Sequence, residues 1–314
     1  MRLISAPDIA SVLDYPALIH ALDAAFRTGA TIPARAHHTV DVDGGRDSTL
    51  LLMPAWDDDD FLGVKIVCAV PENANRNMAA VQATYQLFKR STGHPLALLD
   101  GPELTARRTA SASALAAKYL AKADARTLLV VGTGVLCPHL VRAHMAETNI
   151  ENILIWGRNP DKARTVCTRL EKDGIKATAA ADIKEGVQQA DIISTATLST
   201  TALIKGAWLK PGQHLDLVGG FTPLMREADD DCIKSARVFV DTPQAIIEAG
   251  DICQPIANGA LTKENIDGDL FALSKRDIQG RQSDNDITVF KSTGMALEDL
   301  AAAKLVYQRL CKEE

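Results

Sequence analysis

The chain has 314 residues, 46% hydrophobic and 24% charged, with a formal net charge of −6. That length holds one large or two ordinary domains with a sizeable core, and the composition is that of a soluble globular protein. The acidic balance argues against a general nucleic-acid binder. No apolar run approaches the roughly 20 residues of a membrane span, and MRLISAPDIA has no signal-peptide pattern, so a cytoplasmic protein with no membrane partner is expected.

Ser5 with Asp8 forms a capping signal ahead of an apolar-periodic segment towards Leu13. Pro16 opens a second helix with Leu18, Ile19, Leu22 and Phe26 on one face, and Gly29 ends it. Extended segments follow at 37–42, 49–53, 61–70, 83–90 and 96–99, with Asp43-Gly44-Gly45 and Ser91-Thr92-Gly93-His94 as turns. Successive strands with short turns imply an antiparallel or mixed sheet. Asp57 to Asp60 reads as a solvated loop.

The alanine-rich stretch 105–122 is a strong helix former and leads into alternating strands and helices, with strands at Leu128, Ile153, Ile192, Leu215 and Val238. Alternation of this kind predicts a doubly wound parallel sheet with its ligand crevice at the carboxyl ends of the strands. After Asp286 the chain runs ITVFKSTG into a helix, 295–310, which is expected to return to the N-terminal part. The fold class is therefore α/β. A Rossmann domain, 123–290, is inserted into an α+β domain of residues 1–122 and 291–314.

The buried run Leu128 to Val131 ends in Gly132-Thr133-Gly134, and Val135 and Leu136 begin an apolar-periodic helix. Glycines there let the backbone turn beneath a pyrophosphate, whose charge the helix N-terminus favours. The third position of the fingerprint is Cys137, read as a small buried residue. A second strand ends at Gly157-Arg158-Asn159, where an NAD site usually offers a carboxylate to the ribose. A guanidinium suits a 2′-phosphate instead, so NADPH is expected ahead of NADH; the alternative is an exposed arginine at a loop start. Asp161 lies too late for the ribose and is read as a helix cap. Ser194-Thr195-Ala196-Thr197 and Lys291-Ser292-Thr293-Gly294 read either as loops on the nicotinamide side or as helix caps and turns.

Six cysteines (Cys68, Cys137, Cys167, Cys232, Cys253, Cys311) are scattered without C-x-x-C or histidine pairing, and are read as reduced, mostly buried thiols with no metal site. Of the histidines, His37 and His38 merit attention because they follow Arg35 onto a strand; His94, His139, His144 and His214 are read as ordinary.

Pro33-Ala34-Arg35, GVKIV around Lys65, TARRTASASALAAKYL, VVGTGV, ISTATLSTTALIKGAWLKPGQHLDLVGG, Arg226-Glu227 and FKSTGMALEDLAAA together resemble the ornithine cyclodeaminase / mu-crystallin family over nearly the whole chain. The resemblance implies an inserted Rossmann domain, a homodimer formed through the sheet domain, and a substrate pocket lined by Arg35, Lys65 and Arg108. These cations suit an α-carboxylate. Lys65 stands in an otherwise apolar strand, where an unpartnered charge is costly; the alternative is a solvent-facing lysine on a half-exposed strand. Arg107 and Arg108 point about 100° apart on a helix, and the family motif matches Arg108.

Deaminating members of the family carry an aspartate just after a V-G-x stretch. Here the text is Val218-Gly219-Gly220-Phe221, and phenylalanine can neither accept a proton nor orient a water. GGFTPLMREADD instead resembles bacterial reductases of cyclic imino acids. The expected reaction is NAD(P)H-dependent reduction of a cyclic ketimine carboxylate, Δ1-pyrroline-2-carboxylate or its six-membered homologue, to L-proline or L-pipecolate, with Phe221 covering the ring. The rivals are an NAD-dependent ornithine cyclodeaminase and a crystallin-like protein that binds NADPH and a ligand without turnover.

Overall fold

The computed structural model describes residues 1–43, 45–76 and 78–311; the expected turn at Gly44 lies outside them. The chain divides into two compact units, Met1–Arg108 with Met295–Glu314, and Thr109–Gly294. The first boundary falls inside the helix Gly101–Leu120 rather than at 122/123. Its second half is fastened to the second unit: Ser113 Oγ donates to Asp216 Oδ1 at 3.1 Å, and the Leu120 carbonyl accepts from Thr288 and Arg281, each at 2.8 Å. The other boundary follows Gly294 instead of residue 290.

The first unit carries a six-stranded mixed sheet: β1 (Arg2–Ile4), β2 (Ala36–Val40), β3 (Ser48–Trp56), β4 (Phe61–Ala69), β5 (Val81–Lys89) and β6 (Pro95–Asp100), in the order β1-β6-β5-β4-β3-β2. All neighbours are antiparallel except β1, which pairs in parallel with β6. Strand β1 escapes sequence reading because it is three residues long and runs straight into a helix. That helix, Ala6–Val12, begins with the expected Ser5–Asp8 capping box, and the next, Tyr15–Thr28, ends at Gly29 with φ of 80°.

The C-terminal helix Ala296–Cys311 returns to this unit and packs on Tyr15–Thr28 and on β3, β4 and β5. Lys304 binds Asp57 at 2.7 Å and also Asp59, so the acidic loop expected to be merely solvated anchors the returning helix. On β4 the strand period turns Gly63, Lys65 and Val67 inward and Ile66 and Cys68 outward. The inward face is the one the C-terminal helix covers, which brings Lys65 to Asp299.

The second unit holds eight strands, all parallel: β7 (Thr127–Val131), β8 (Asn152–Trp156), β9 (Thr178–Ala179), β10 (Ile192–Thr195), β11 (His214–Leu217), β12 (Arg237–Val240), β13 (Ile266–Asp269) and β14 (Thr288–Lys291). Their order is β13-β12-β14-β11-β10-β7-β8-β9. The chain runs outward from β7 through β9 and resumes on the other side at β10, so the switch point lies between β7 and β10. Central strands covered on both faces read as unbroken apolar runs, as at Leu128–Val131. Ser194 and Thr195 belong to β10 and are buried, not loop residues; Lys291 closes β14.

Only Cys137 and Cys232 are buried; Cys68 is exposed and the other three are half-buried, correcting the expectation of mostly buried thiols, although all six are free. Among the described residues no single helix is long and apolar enough to cross a membrane.

Gly63 is fixed by packing, because a Cβ there would lie 2.0 Å from Tyr85 Oη. Overpacking of this kind costs about 1–3 kcal/mol. Gly63→Ala is therefore expected to lower the thermal unfolding midpoint by several degrees, whereas Gly93→Ala, which meets open space at φ of 67°, should lower it less. Equal midpoints for the two variants would contradict this packing.

Candidate active site

In the first unit, two of the expected substrate-binding cations meet in the interior. Lys65 is 3% exposed on β4, and Arg108 is 5% exposed on the helix after β6. Lys65 Nζ lies 2.7 Å from Asp299 Oδ2; Arg108 donates from Nε to Asp299 Oδ1 at 3.0 Å and from Nη1 to Glu298 Oε2 at 2.6 Å. Asp299 thus joins both cations. Burial, and secondarily the Arg108 charge, push the Lys65 ammonium down to about 8, against the pull of Asp299. Burial also acts to lower Arg108, but Asp299 and Glu298 hold its pKa above the ordinary value.

Tyr85, opposite Lys65 on β5, is fully buried, and its hydroxyl has no hydrogen-bond partner among the described residues. Arg107 points elsewhere, to Glu103 and the Leu13 carbonyl, as helical geometry requires. Arg35 is half-buried just before β2. His37 and His38 face solvent on that edge strand, away from the buried cations' environment.

In the second unit, β7 runs into Gly132 at φ of 131°, where a Cβ would stand 2.6 Å from the Ala196 carbonyl. Gly134 opens onto empty space, and Thr133 packs so closely beneath Gly157 that a Cβ there would meet it at 2.6 Å. The helix Leu136–Glu147 follows with no side-chain cap; Val135 is exposed and Leu136 half-buried. An uncapped helix start beside an open glycine fits a pyrophosphate, since backbone N–H groups there lack intrahelical partners. Cys137 is buried, and burial raises its thiol to about 12.

Arg158 is exposed at the end of β8. Asn159, expected to bind cofactor, spends its side chain capping the helix Pro160–Lys172 through the N–H groups of Asp161 and Lys162. The cap is therefore Asn159 and not Asp161, because a cap precedes the first helical turn.

Past the switch point the loops are bound to buried charges. Glu227 Oε1 accepts from Thr197 N–H and Oγ1, both at 2.7 Å, and Oε2 from Thr195 Oγ1 at 2.8 Å. Asp251 Oδ1 accepts from the N–H groups of Glu227 and Ala228, and its Oδ2 lies 3.3 Å from Lys291 Nζ. Lys291 also donates to the Gly219 carbonyl. Val218 and Gly219 bond back to the Thr195 carbonyl, Ala196 to Val131, and Ser292 to Leu217. Phe221 stands 45% exposed beyond Gly220.

Comparison with known proteins decides the family. The model of the ornithine cyclodeaminase/mu-crystallin family matches residues 2–314. The chain belongs to that family. It is 38% identical to a Δ1-pyrroline-2-carboxylate reductase of Paracoccus denitrificans over 97% of this chain and 98% of the other, and 40% identical to the protein SAR DEFICIENT 4 of Arabidopsis thaliana over 97% and 96%. A solved Δ1-pyrroline-2-carboxylate reductase of Thermococcus litoralis, in complex with NADH and L-proline, is similar with a TM-score of 0.93 at 30% identity, over 100% of this chain and 98% of the other.

Within this family member, the acidic partners Asp299, Glu298, Glu227 and Asp251 were missed by sequence reading, as was Tyr85. A signal existed for two of them: Glu298 and Asp299 interrupt an apolar-periodic helix between Leu297 and Leu300. His144 and His214 lie in the parallel-sheet unit, buried around Asp216 and Thr288; His214 opens β11 at its amino end, away from the carboxyl ends of the strands.

Removing one partner of a buried ion pair costs about 3–5 kcal/mol, because the remaining charge is left uncompensated. Asp299→Ala should lose that much in urea unfolding, more than Asp8→Ala at an exposed cap. A loss no larger than the cap's would show that Lys65 and Arg108 do not depend on Asp299.

Proposed function

We propose that this protein reduces a cyclic ketimine carboxylate, Δ1-pyrroline-2-carboxylate or its six-membered homologue, to L-proline or L-pipecolate, with NADPH ahead of NADH. The observation that carries the reading is the buried pair Lys65 and Arg108, two cations held in one interior by Asp299. Its likeness to Δ1-pyrroline-2-carboxylate reductases supports the reaction class.

The ammonium and the guanidinium retain N–H donors beyond those given to Asp299 and Glu298, and these would bind a ligand carboxylate, with Arg35 as a third cation. Asp299 fixes both donors beforehand, so little ordering remains when substrate binds. Lys65 Nζ, with its acidity moved to about 8, is also a proton store suited to neutral pH for an imine nitrogen.

When bound, the dihydronicotinamide supplies hydride to the imine carbon. The Gly132–Gly134 turn and the helix behind it would hold the pyrophosphate, and Arg158 a 2′-phosphate. Thr195, Ala196, Thr197, Val218, Gly219 and Ser292 would line the nicotinamide side. Phe221 would cover the ring and exclude water.

A lyase reading is less well supported. Phe221 is no base, and the neighbouring carboxylates Glu227 and Asp251 are both occupied by backbone and hydroxyl donors.

NADPH oxidation with Δ1-pyrroline-2-carboxylate is the direct test, and Lys65→Ala should reduce kcat/KM by at least ~100-fold. Ammonia release from ornithine without imine reduction would replace this reading with the lyase. In Arg158→Ala, the KM for NADPH should rise about tenfold while that for NADH stays nearly constant, as expected for loss of a charge-assisted contact. An unchanged NADPH-to-NADH ratio would remove Arg158 from the cofactor site.

A further inference from the structure

Glu227, Asp251 and Lys291 are fully buried at the carboxyl ends of the parallel strands, two carboxylates against one ammonium. Such a set is expensive, and an apolar core would serve stability at least as well. What the three groups touch is the passage from strand to loop. Glu227 gathers Thr195, the last residue of β10, and Thr197, two residues beyond it; Lys291 holds the Gly219 carbonyl off β11; Asp251 fixes the backbone that carries Glu227. The fit is close: a Cβ on Gly219 would lie 2.6 Å from Glu227 Oε1, and one on Gly220 would lie 2.6 Å from Asp251 Oδ2. Immediately beyond these tethers, Leu198 and Phe221 are exposed.

A dinucleotide in a doubly wound sheet lies across the switch point, one mononucleotide half on each side. The glycine turn and Arg158 follow β7 and β8, on the adenosine side. The loops held by Glu227 follow β10 and β11, on the other.

We propose that Glu227 is a positioning residue for the nicotinamide half of the cofactor: through Thr195 and Thr197 its carboxylate fixes one loop, and through Asp251 and Lys291 it is locked to the next. The proposal rests on the nicotinamide-cofactor reading above. The charged groups facing Glu227 are Lys291 from β14 and Asp251 from the helix Gly250–Ala257, with the Thr195 and Thr197 hydroxyls beside them. Burial foremost, with Asp251 adding and Lys291 opposing, pushes Glu227 up to about 7. An ionised carboxylate accepts all three of its donors; a protonated one cannot, because one oxygen becomes a donor itself. Grip on the nicotinamide half therefore weakens as pH falls through neutrality.

The test uses the full chain and two probes, NADPH and 2′-phospho-ADP-ribose, which lacks the nicotinamide. Binding is followed by calorimetry from about pH 6 to about pH 8.5. In the wild type, NADPH affinity should rise about tenfold across that range, as loss of one charged hydrogen bond implies, while the fragment's stays level. Glu227→Gln should bind NADPH about tenfold more weakly at the upper end, with no pH slope, and bind the fragment as the wild type does. Thr197→Val, which removes a single hydroxyl donor, should move the same way by a smaller factor and serves if Glu227→Gln does not fold. Equal losses for both probes, or wild-type affinity and slope in both variants, would overturn the positioning role. Failure of the wild-type protein to bind NADPH, NADH or the fragment would instead overturn the cofactor reading beneath it.

Discussion

Lys65 and Arg108 are carried into the interior of the first unit, and Asp299 lies against both. A lone ammonium or guanidinium there would cost several kcal/mol in lost hydration, so the position of Asp299 is a condition for the other two. That condition explains why the C-terminal helix must come back. Its return buries Leu297, Leu300 and Ala303 between its neighbours and delivers Glu298 and Asp299 to the cations in the same movement. Packing and charge compensation are supplied by different faces of one helix.

The second unit solves a related problem differently. Its parallel strands bring carbonyls and N–H groups to a common edge where the ladder stops, and these groups need partners. The helix start after Gly134 is left without a side-chain cap, whereas the loops after β10 and β11 are met by Glu227 and Lys291. One end of the crevice thus has a helix start without a side-chain cap, while the other is supported from behind by buried charge.

Much of this was legible in the sequence because local chemistry demands it. Gly132-Thr133-Gly134 is a weak signal by itself but reads as strand, turn and helix in its context, and Lys65 in the middle of GVKIV announced a charge needing a reason. Ser5 with Asp8 gave its helix start to the residue. What escaped was pairing at a distance. Nothing near Lys65 names Asp299, and nothing near Thr197 names Glu227, since partners fixed by tertiary packing leave no local period. Asn159 shows the reverse error: placed well for a cofactor, its side chain is claimed by the nearest helix. Strand β1 was too short to show alternation, and the thiols were misjudged because scattered cysteines give no indication of which face they take.

The insertion of β14 between β11 and β12 bears on the order of synthesis. Until residues 288–291 have left the ribosome, β12 and β13 have no neighbour joining them to the rest of the parallel sheet, and the groups along the open flank of β11 lack their partner strand. Lys291 arrives with that strand, so the tether on Gly219 is among the last contacts the unit acquires. The first unit waits longer still, for the helix that bears Asp299. A nascent chain of this protein thus holds unpaired strand edges and an uncovered sheet face until its last residues emerge, the state in which a long-range topology is most exposed to aggregation.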